Sequence, residues 1–487
     1  RSAVPEWALL KTSAKPDLEA MAGSVLQALQ RTAATEPQAE QKLLDELRAD
    51  AVGRLKAEGL AESPAAGCAA QLTGSSLRSY VQTITEEIRA SNLRSAAAAR
   101  HEGRLVTVLG NDYAEFLPTM IWLGGSFVTT NPVLIKLAWD IDPSYWNRQV
   151  DEVILSRFAR SKLGALLREN GRALDDAVEA VVTSITISVV ERNCRMLRPI
   201  FLTTGGAQGY VSLQVNPTAH DDPVRMAAEA AGIYAELERR LGGVPNVVIK
   251  VPSTEAGLQA AGTLTAKGIG VTITLTFSLF QSVPFAQVLS QGHALVSYIA
   301  IMNGRLAFPV RDEMAKTMTA GGLEASRWAG VEVARKVCAR LYGPKKQGGL
   351  GIDAGKVKVM IASLRIYDEW IPDISELWGV PLITIFPNVR RAYDAQVRPL
   401  DANALSGTMP DEDLRTLLKS EIFRQAWWTE RDGGLGRPDR PLTLDLADSP
   451  AVSQWAPVRE TLTQFIGTYG EMCGMVKARM AVIMQSL

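Results

Sequence analysis

With 52 Lys+Arg set against 52 Asp+Glu in 487 residues, the chain has no net field to recruit nucleic acid or an anionic membrane. A hydrophobic content of 47% and a charged content of 21% suit a soluble globular enzyme, and no apolar run reaches the roughly 18 residues a membrane span needs. Cys68, Cys194, Cys338 and Cys473 form no CxxC pair and His101, His220 and His293 form no ligand motif, which predicts reduced structural thiols and no metal site and argues against a Ser-His-Asp hydrolase.

The first hundred residues are rich in Ala, Glu and Leu at helical spacing: Leu26 and Leu29, then Leu43, Leu44 and Leu47, then Tyr80, Ile84 and Ile88. Ser75 and Ser76 are candidate caps for the last of these helices. This segment predicts a helical extension without a chemical motif. The chain starts at Arg1 without a methionine and shows no signal-peptide core, so a processed or trimmed product is expected. A cytoplasmic location is expected, with an organelle after processing as the alternative.

From about residue 104 short β-branched runs alternate with helical stretches, the pattern of βα units. The runs are 105–109, 127–130, 211–215, 247–251, 271–277, 295–302, 357–362 and 382–386, with helices expected at 226–241, 254–266 and 324–341. Eight strands over about 300 residues predict an α/β fold, a closed (β/α)8 TIM barrel with N-terminal and C-terminal helical extensions. The rival, an open doubly wound sheet, usually announces a Gly-rich phosphate loop after its first strand, and none follows Leu109. The Gly-rich stretches 205–209 and 348–351 lack phosphate-cradling spacing and read as loops. Residues 407–449, rich in Asp, Pro and Gly, read as a surface excursion, and 452–487 as one or two closing helices. The expected organisation is an extension at 1–100, a catalytic barrel at 101–400, and an excursion with closing helices at 401–487.

One charged residue interrupts an apolar strand: Val247-Val248-Ile249-Lys250-Val251-Pro252. Alternation puts Val248 and Lys250 on one face, and barrel strands are covered on both faces, so Lys250 is buried either way. A buried amine loses its proton more readily, which a Schiff-base nucleophile requires. The competing reading is a strand-end lysine that snorkels to solvent or pairs with a carboxylate. Run 271–278 alternates Thr272, Thr274, Thr276 and Ser278 against Ile273, Leu275 and Phe277, a hydroxyl row facing inward or an ordinary β-branched strand with locally bonded hydroxyls. Polar residues gather at other strand ends too: Asn111-Asp112, Thr129-Thr130-Asn131, Ser212 and Gln214, Asn303-Gly304-Arg305, and Ser363 with Arg365. Barrel active sites are built at those ends.

Taken together, these segments resemble the transaldolase family. Ile249-Lys250-Val251-Pro252-Ser253-Thr254-Glu255-Ala256-Gly257 resembles its Schiff-base strand, and Thr129-Thr130-Asn131-Pro132 its Thr-Thr-Asn-Pro-Ser signature. Thr274-Leu275-Thr276-Phe277-Ser278, Gly304-Arg305 and Ala362-Ser363-Leu364-Arg365 resemble its fifth, sixth and seventh strands. The match runs in family order over about 110–390. It implies a Lys250 Schiff base to a phosphorylated ketose, with Asp112 as general base and Thr274 positioning the water of imine formation. It also implies substrate contacts from Asn131 and Thr272, a sugar phosphate held by Arg305, Ser363 and Arg365, and no cofactor. Sugar phosphates are then the partners, with no nucleic acid or membrane, and a homo-oligomer is left open.

Three strands depart from the pattern. Ser212-Leu213-Gln214-Val215-Asn216 stands where the family has Ser-Thr-Glu-Val-Asp, Thr272 where Asn is common, and Met302 and Ala300 replace a Tyr and a Ser. Gln214 is similar to the fructose-6-phosphate aldolase branch, and a neutral amide cannot shuttle a proton as Glu does. Tyr298 is the candidate substitute phenol. The resemblance therefore implies transfer or aldol cleavage on phosphorylated ketoses. The alternatives are a specialised carbon–carbon lyase or ligase on another substrate, or a catalytically impaired barrel acting as a binding protein.

Overall fold

Eight parallel strands close into one barrel, each pairing with its sequence neighbours and the last returning to the first. They are β1 Val108–Asn111, β2 Phe127–Thr129, β3 Tyr210–Gln214, β4 Val247–Pro252, β5 Val271–Thr276, β6 Ser297–Met302, β7 Val357–Ala362 and β8 Leu382–Ile385. This (β/α)8 TIM barrel carries helical extensions at both ends. The computed structural model describes residues 27, 28, 31, 35, 37–397, 399–445 and 449–485; Leu26 and Leu29 lie outside them.

The two-residue period of the strands produces two separate apolar clusters. Ile249, Val251, Ile273, Ile299, Ile301, Val359 and Ile383 face outward and pack with Met226, Ile233, Leu264, Phe285 and Val310 of the surrounding helices. Phe127, Tyr210, Val248, Tyr298, Ala300, Met360 and Leu382 form an inner plug with Phe201 and Val296. A barrel of eight strands has just enough room for such a plug. At Gly110 an added Cβ would come within 2.9 Å of Thr384 Cγ2 and 3.2 Å of Phe127 Cβ, so β1 carries no side chain at this level.

Several expectations are refined. β1 starts at Val108 rather than 105, because Val106 is 65% exposed and Thr107 accepts the Gly379 N–H instead of a strand partner. The expected row of four inward hydroxyls on β5 is broken. Leu275 takes a left-handed φ of 57°, the register shifts between Ile273 and Thr276, and Ser278 caps the helix Leu279–Gln291. Only Thr272 and Thr274 keep the inward phase of Lys250. The helix expected at 324–341 is two, Gly322–Ser326 and Ala329–Tyr342, separated by a turn.

Residues 407–449 are more than a surface excursion. They include the helices Asp411–Leu417 and Glu421–Trp427, whose Leu417, Phe423 and Trp427 join the outer core. Between β2 and β3 lies a helical insert that local patterns did not separate from the barrel: Pro143–Arg157, Arg160–Glu169 and the 32-residue Arg172–Thr203. Together with the C-terminal helix Ala456–Gln485 it builds a second core from Trp146, Val150, Leu163, Val181, Val476 and Met480.

At the other end, Pro37–Ala57, Glu62–Thr73, Leu77–Ala90 and Asn92–His101 form the N-terminal extension. Ser76 caps the third helix in a reciprocal box with Ser79. Buried Glu58 accepts from Arg390 and, at 3.2 Å, from Arg391 on the helix after β8, which fastens the extension to the barrel.

Candidate active site

Lys250 is 3% exposed, and its Nζ donates to Thr129 Oγ1 at 3.1 Å and the Thr130 carbonyl at 3.3 Å. Neither partner is charged, so the snorkelling and ion-paired readings of this lysine do not describe it. Burial pushes the ammonium down to about 8, with Asp112 opposing and Arg305 adding to the fall. About one amine in ten is then neutral at pH 7, some two hundred-fold more than for an ordinary lysine.

The neighbours of Lys250 in the wall are Gln214 on β3 and Thr272 on β5, both at its own level in the register. Gln214 Oε1 and Thr272 Oγ1 are buried without hydrogen-bond partners, as is Ser212 Oγ on β3. Three buried polar atoms without partners among the described residues thus lie on the two strands that flank one amine. Thr274, one inward position further along β5, points its Oγ1 to the Met302 sulfur at 3.6 Å, a weak acceptor. Tyr298 belongs instead to the inner plug, its ring centroid 4.7 Å from Phe127 and 6.4 Å from Tyr210.

Asp112 directly follows β1, its N–H bonded to the Ile385 carbonyl at 3.1 Å. Burial raises its carboxyl, while Lys250, the Ser363 N–H, Arg305 and Arg365 pull it back. Asn111 fixes the turn that follows by donating to the Tyr113 and Glu115 carbonyls at 2.7 and 3.0 Å. Asn131 caps the helix Pro132–Ile141, its Oδ1 accepting from Leu134 N–H at 3.0 Å, which leaves its amide donors uncommitted to the cap. A narrow cavity lined by Asn131, Gln214, Glu229 and Tyr469 has ≈ 20 Å³ of space, about one water. Burial pushes the Glu229 carboxyl up to about 7 although the Asn216 N–H donates to it.

Arg305 and Arg365 stand across from this group on the β6 and β7 ends. Burial, then Arg365, pushes the Arg305 guanidinium down to about 10. Each rests on an aromatic ring: Arg305 5.5 Å from Phe465 and Arg365 4.8 Å from Phe308. Ser363, at a left-handed φ of 59°, turns its carbonyl to the Gly304 N–H (3.1 Å) and Arg365 Nη1 (3.0 Å). Gly304 is required here, because a Cβ would lie 2.5 Å from that carbonyl oxygen and 2.3 Å from Arg365 Cγ.

The residues named from sequence therefore fall in two groups. Lys250, Gln214 and Thr272 form a row, with Asp112 close enough to share its field with Lys250, while Thr274 and Asn131 flank it. Arg305, Ser363 and Arg365 form the second group, which reaches Asp112 through charge. Asp373 was missed. Buried after β7, it accepts from Asn303 Nδ2 at 3.0 Å and the Arg365 N–H at 2.9 Å, tying the ends of β6 and β7. An aspartate within Ile371-Pro372-Asp373-Ile374 was the available signal. Phe465 was missed too, and no local pattern marks it.

This arrangement brings a buried amine, a buried carboxyl and unsatisfied polar side chains to one end of the barrel, with the Arg305 and Arg365 guanidiniums beside them. No helix among the described residues is long and apolar enough to cross a membrane. The family profile described as transaldolase/fructose-6-phosphate aldolase matches residues 122–426. A transaldolase of Acidothermus cellulolyticus is 27% identical over 339 residues, 62% of this chain and 84% of that protein. A transaldolase of an Arthrobacter species is 27% identical over 331 residues, 63% and 80% of the two chains. Transaldolase 1 of Streptomyces avermitilis is 32% identical over a shorter stretch of 152 residues, 31% of this chain and 34% of that protein. With more than half its length matched to one profile, the chain belongs to the transaldolase/fructose-6-phosphate aldolase family.

Proposed function

We propose that this protein cleaves or transfers carbon units of phosphorylated ketoses through a Schiff base on Lys250. The observation that carries the reading is a buried lysine with no ion pair among the described residues and unsatisfied polar side chains on both adjoining strands. Neutral Lys250 attacks the ketose carbonyl, and the carbinolamine loses water to give an iminium. Asp112 takes the proton of the C4 hydroxyl, the C3–C4 bond breaks, and its electron pair passes into the iminium as an enamine while an aldose leaves. The enamine then adds to a second aldehyde, or is protonated at C3 and hydrolysed to free dihydroxyacetone and Lys250. Thr274 holds the water of imine formation and hydrolysis. Asn131 and Thr272 bind substrate hydroxyls. Arg305, Ser363 and Arg365 bind the phosphate, a task suited to forked guanidinium donors.

Gln214 and Met302 favour simple aldol cleavage over transfer. A neutral amide beside the amine cannot relay protons, and the Thr274 hydroxyl faces a sulfur rather than an oxygen. The test is incubation with fructose 6-phosphate, borohydride reduction and mass measurement of the protein. A sugar-derived adduct that disappears in Lys250→Ala is the expected result. Absence of an adduct with every ketose phosphate tried would overturn the reading.

A further inference from the structure

We propose that the C-terminal helix Ala456–Gln485 is a working part of the site, with Phe465 as the positioning residue for the Arg305 guanidinium. The inference deepens the proposed function and rests on its assignment of Arg305 to an anionic substrate group. Phe465 is fully buried, and its ring lies 5.5 Å from the centre of that guanidinium. Arg305 Nε is buried without a hydrogen-bond partner, and the neighbouring cation Arg365 adds repulsion. A carboxylate could have held Arg305 in place, but it would have occupied the donors that an anion needs. An aromatic face restrains the planar group and leaves its N–H edge open. Arg365 also lies against a ring, Phe308, but its Nη1 is spent on the Ser363 and Leu364 carbonyls at 3.0 and 2.9 Å, so Arg305 is the cation held by a ring alone.

Phe465 lies outside the 122–426 match, on a helix that also touches the opposite side of the barrel mouth. Trp455, just before that helix, packs on Phe277 and Phe280 at the end of β5. Tyr469, one turn beyond Phe465, lines the narrow cavity with Asn131 and Gln214, and its hydroxyl is buried without a partner. Its contacts thus run from the β5 and β6 ends to the β2 and β3 ends, with Phe465 between.

Two substitutions separate the ring from the volume it fills. Phe465→Leu keeps an apolar side chain without a π face, and Phe465→Trp keeps the face. In Phe465→Leu the preference for fructose 6-phosphate over unphosphorylated fructose, taken as the ratio of kcat/KM, should fall ~5- to 30-fold, through KM more than kcat. Phe465→Trp should recover most of it. A wild-type preference in Phe465→Leu, or an equal loss with both sugars, overturns the proposal, since a purely structural role weakens both alike. If the wild-type protein reacts with neither sugar, the Schiff-base reading has failed separately. The proposal is then decided by calorimetry with inorganic phosphate: weaker binding to Phe465→Leu than to wild type and Phe465→Trp supports it, and equal binding overturns it.

Discussion

Two levels of the same barrel have opposite characters. In the inner plug Phe127, Tyr210, Tyr298, Met360 and Leu382 interdigitate. Two and four residues further along β3, and two further along β4, Ser212, Gln214 and Lys250 leave polar atoms unpaired or paired only to neutral groups. The strands are shared, so backbone pairing does not explain the difference. The plug favours the fold through dispersion and dehydration, whereas the upper level opposes folding by burying an amine. The apolar plug and the polar level are thereby separated by about one strand repeat, some 7 Å.

The sharpest way to break that comparison is Lys250→Met. Adduct formation should vanish, while thermal melting shows a protein at least as stable as wild type, because a buried charge is replaced by an apolar chain of similar length. Tyr298→Ala should do the reverse. It should cost about 3–5 kcal/mol in denaturant unfolding, yet the folded fraction should still form the borohydride-trapped adduct. A stable Tyr298→Ala, or a strongly destabilised Lys250→Met, would show that the two levels are not divided in this way.

Smaller effects test the edges of the upper level. Gly304→Ala should cost about 1–3 kcal/mol and raise KM for phosphorylated sugars, since the Ser363 carbonyl and Arg365 must both move. Gln214→Glu should raise the ratio of transfer to cleavage if the missing proton shuttle is the limitation; an unchanged ratio would sink that account of β3. Trapping at saturating sugar should quicken about fivefold from pH 7 to 8 and level off above 9, following the neutral fraction of Lys250. The linked stability has a definite sign. A lysine held at about 8 in the folded state binds fewer protons than the unfolded chain between roughly pH 8 and 10.5. Wild type should therefore gain stability relative to Lys250→Met as pH rises through that window.

Much of the barrel was legible because its strands are local: β4, β7 and β8 start where their apolar runs start, and Lys250 stands out as a charge within one of them. The helical insert was not legible as a unit, since its core is completed by Val476 and Met480 from nearly three hundred residues away. The β5 hydroxyl row was overread because one left-handed residue, Leu275, shifts the phase, and nothing in a leucine announces that. Residues 407–449 hide Phe423 and Trp427 among Asp, Pro and Gly, so composition pointed outward while two side chains pointed in. Asp373 and Phe465 act across the fold on partners that no sequence interval connects to them.

The helix Ala456–Gln485 also bears on the order in which the molecule is made. It gives Phe465 to the barrel and Val476, Met480 and Ile483 to the insert, so two apolar cores close on a single late segment. A nascent chain that has just finished β8 has all eight strands and its lysine, but neither core is sealed and Arg305 has no ring beneath it. Chains grow N-terminus first, and exposed apolar surface invites aggregation in the interval. Ribosome stalling just after β8 should therefore yield a species that binds hydrophobic dyes and is cut readily within 143–203, and both properties should fade once synthesis has passed residue 483.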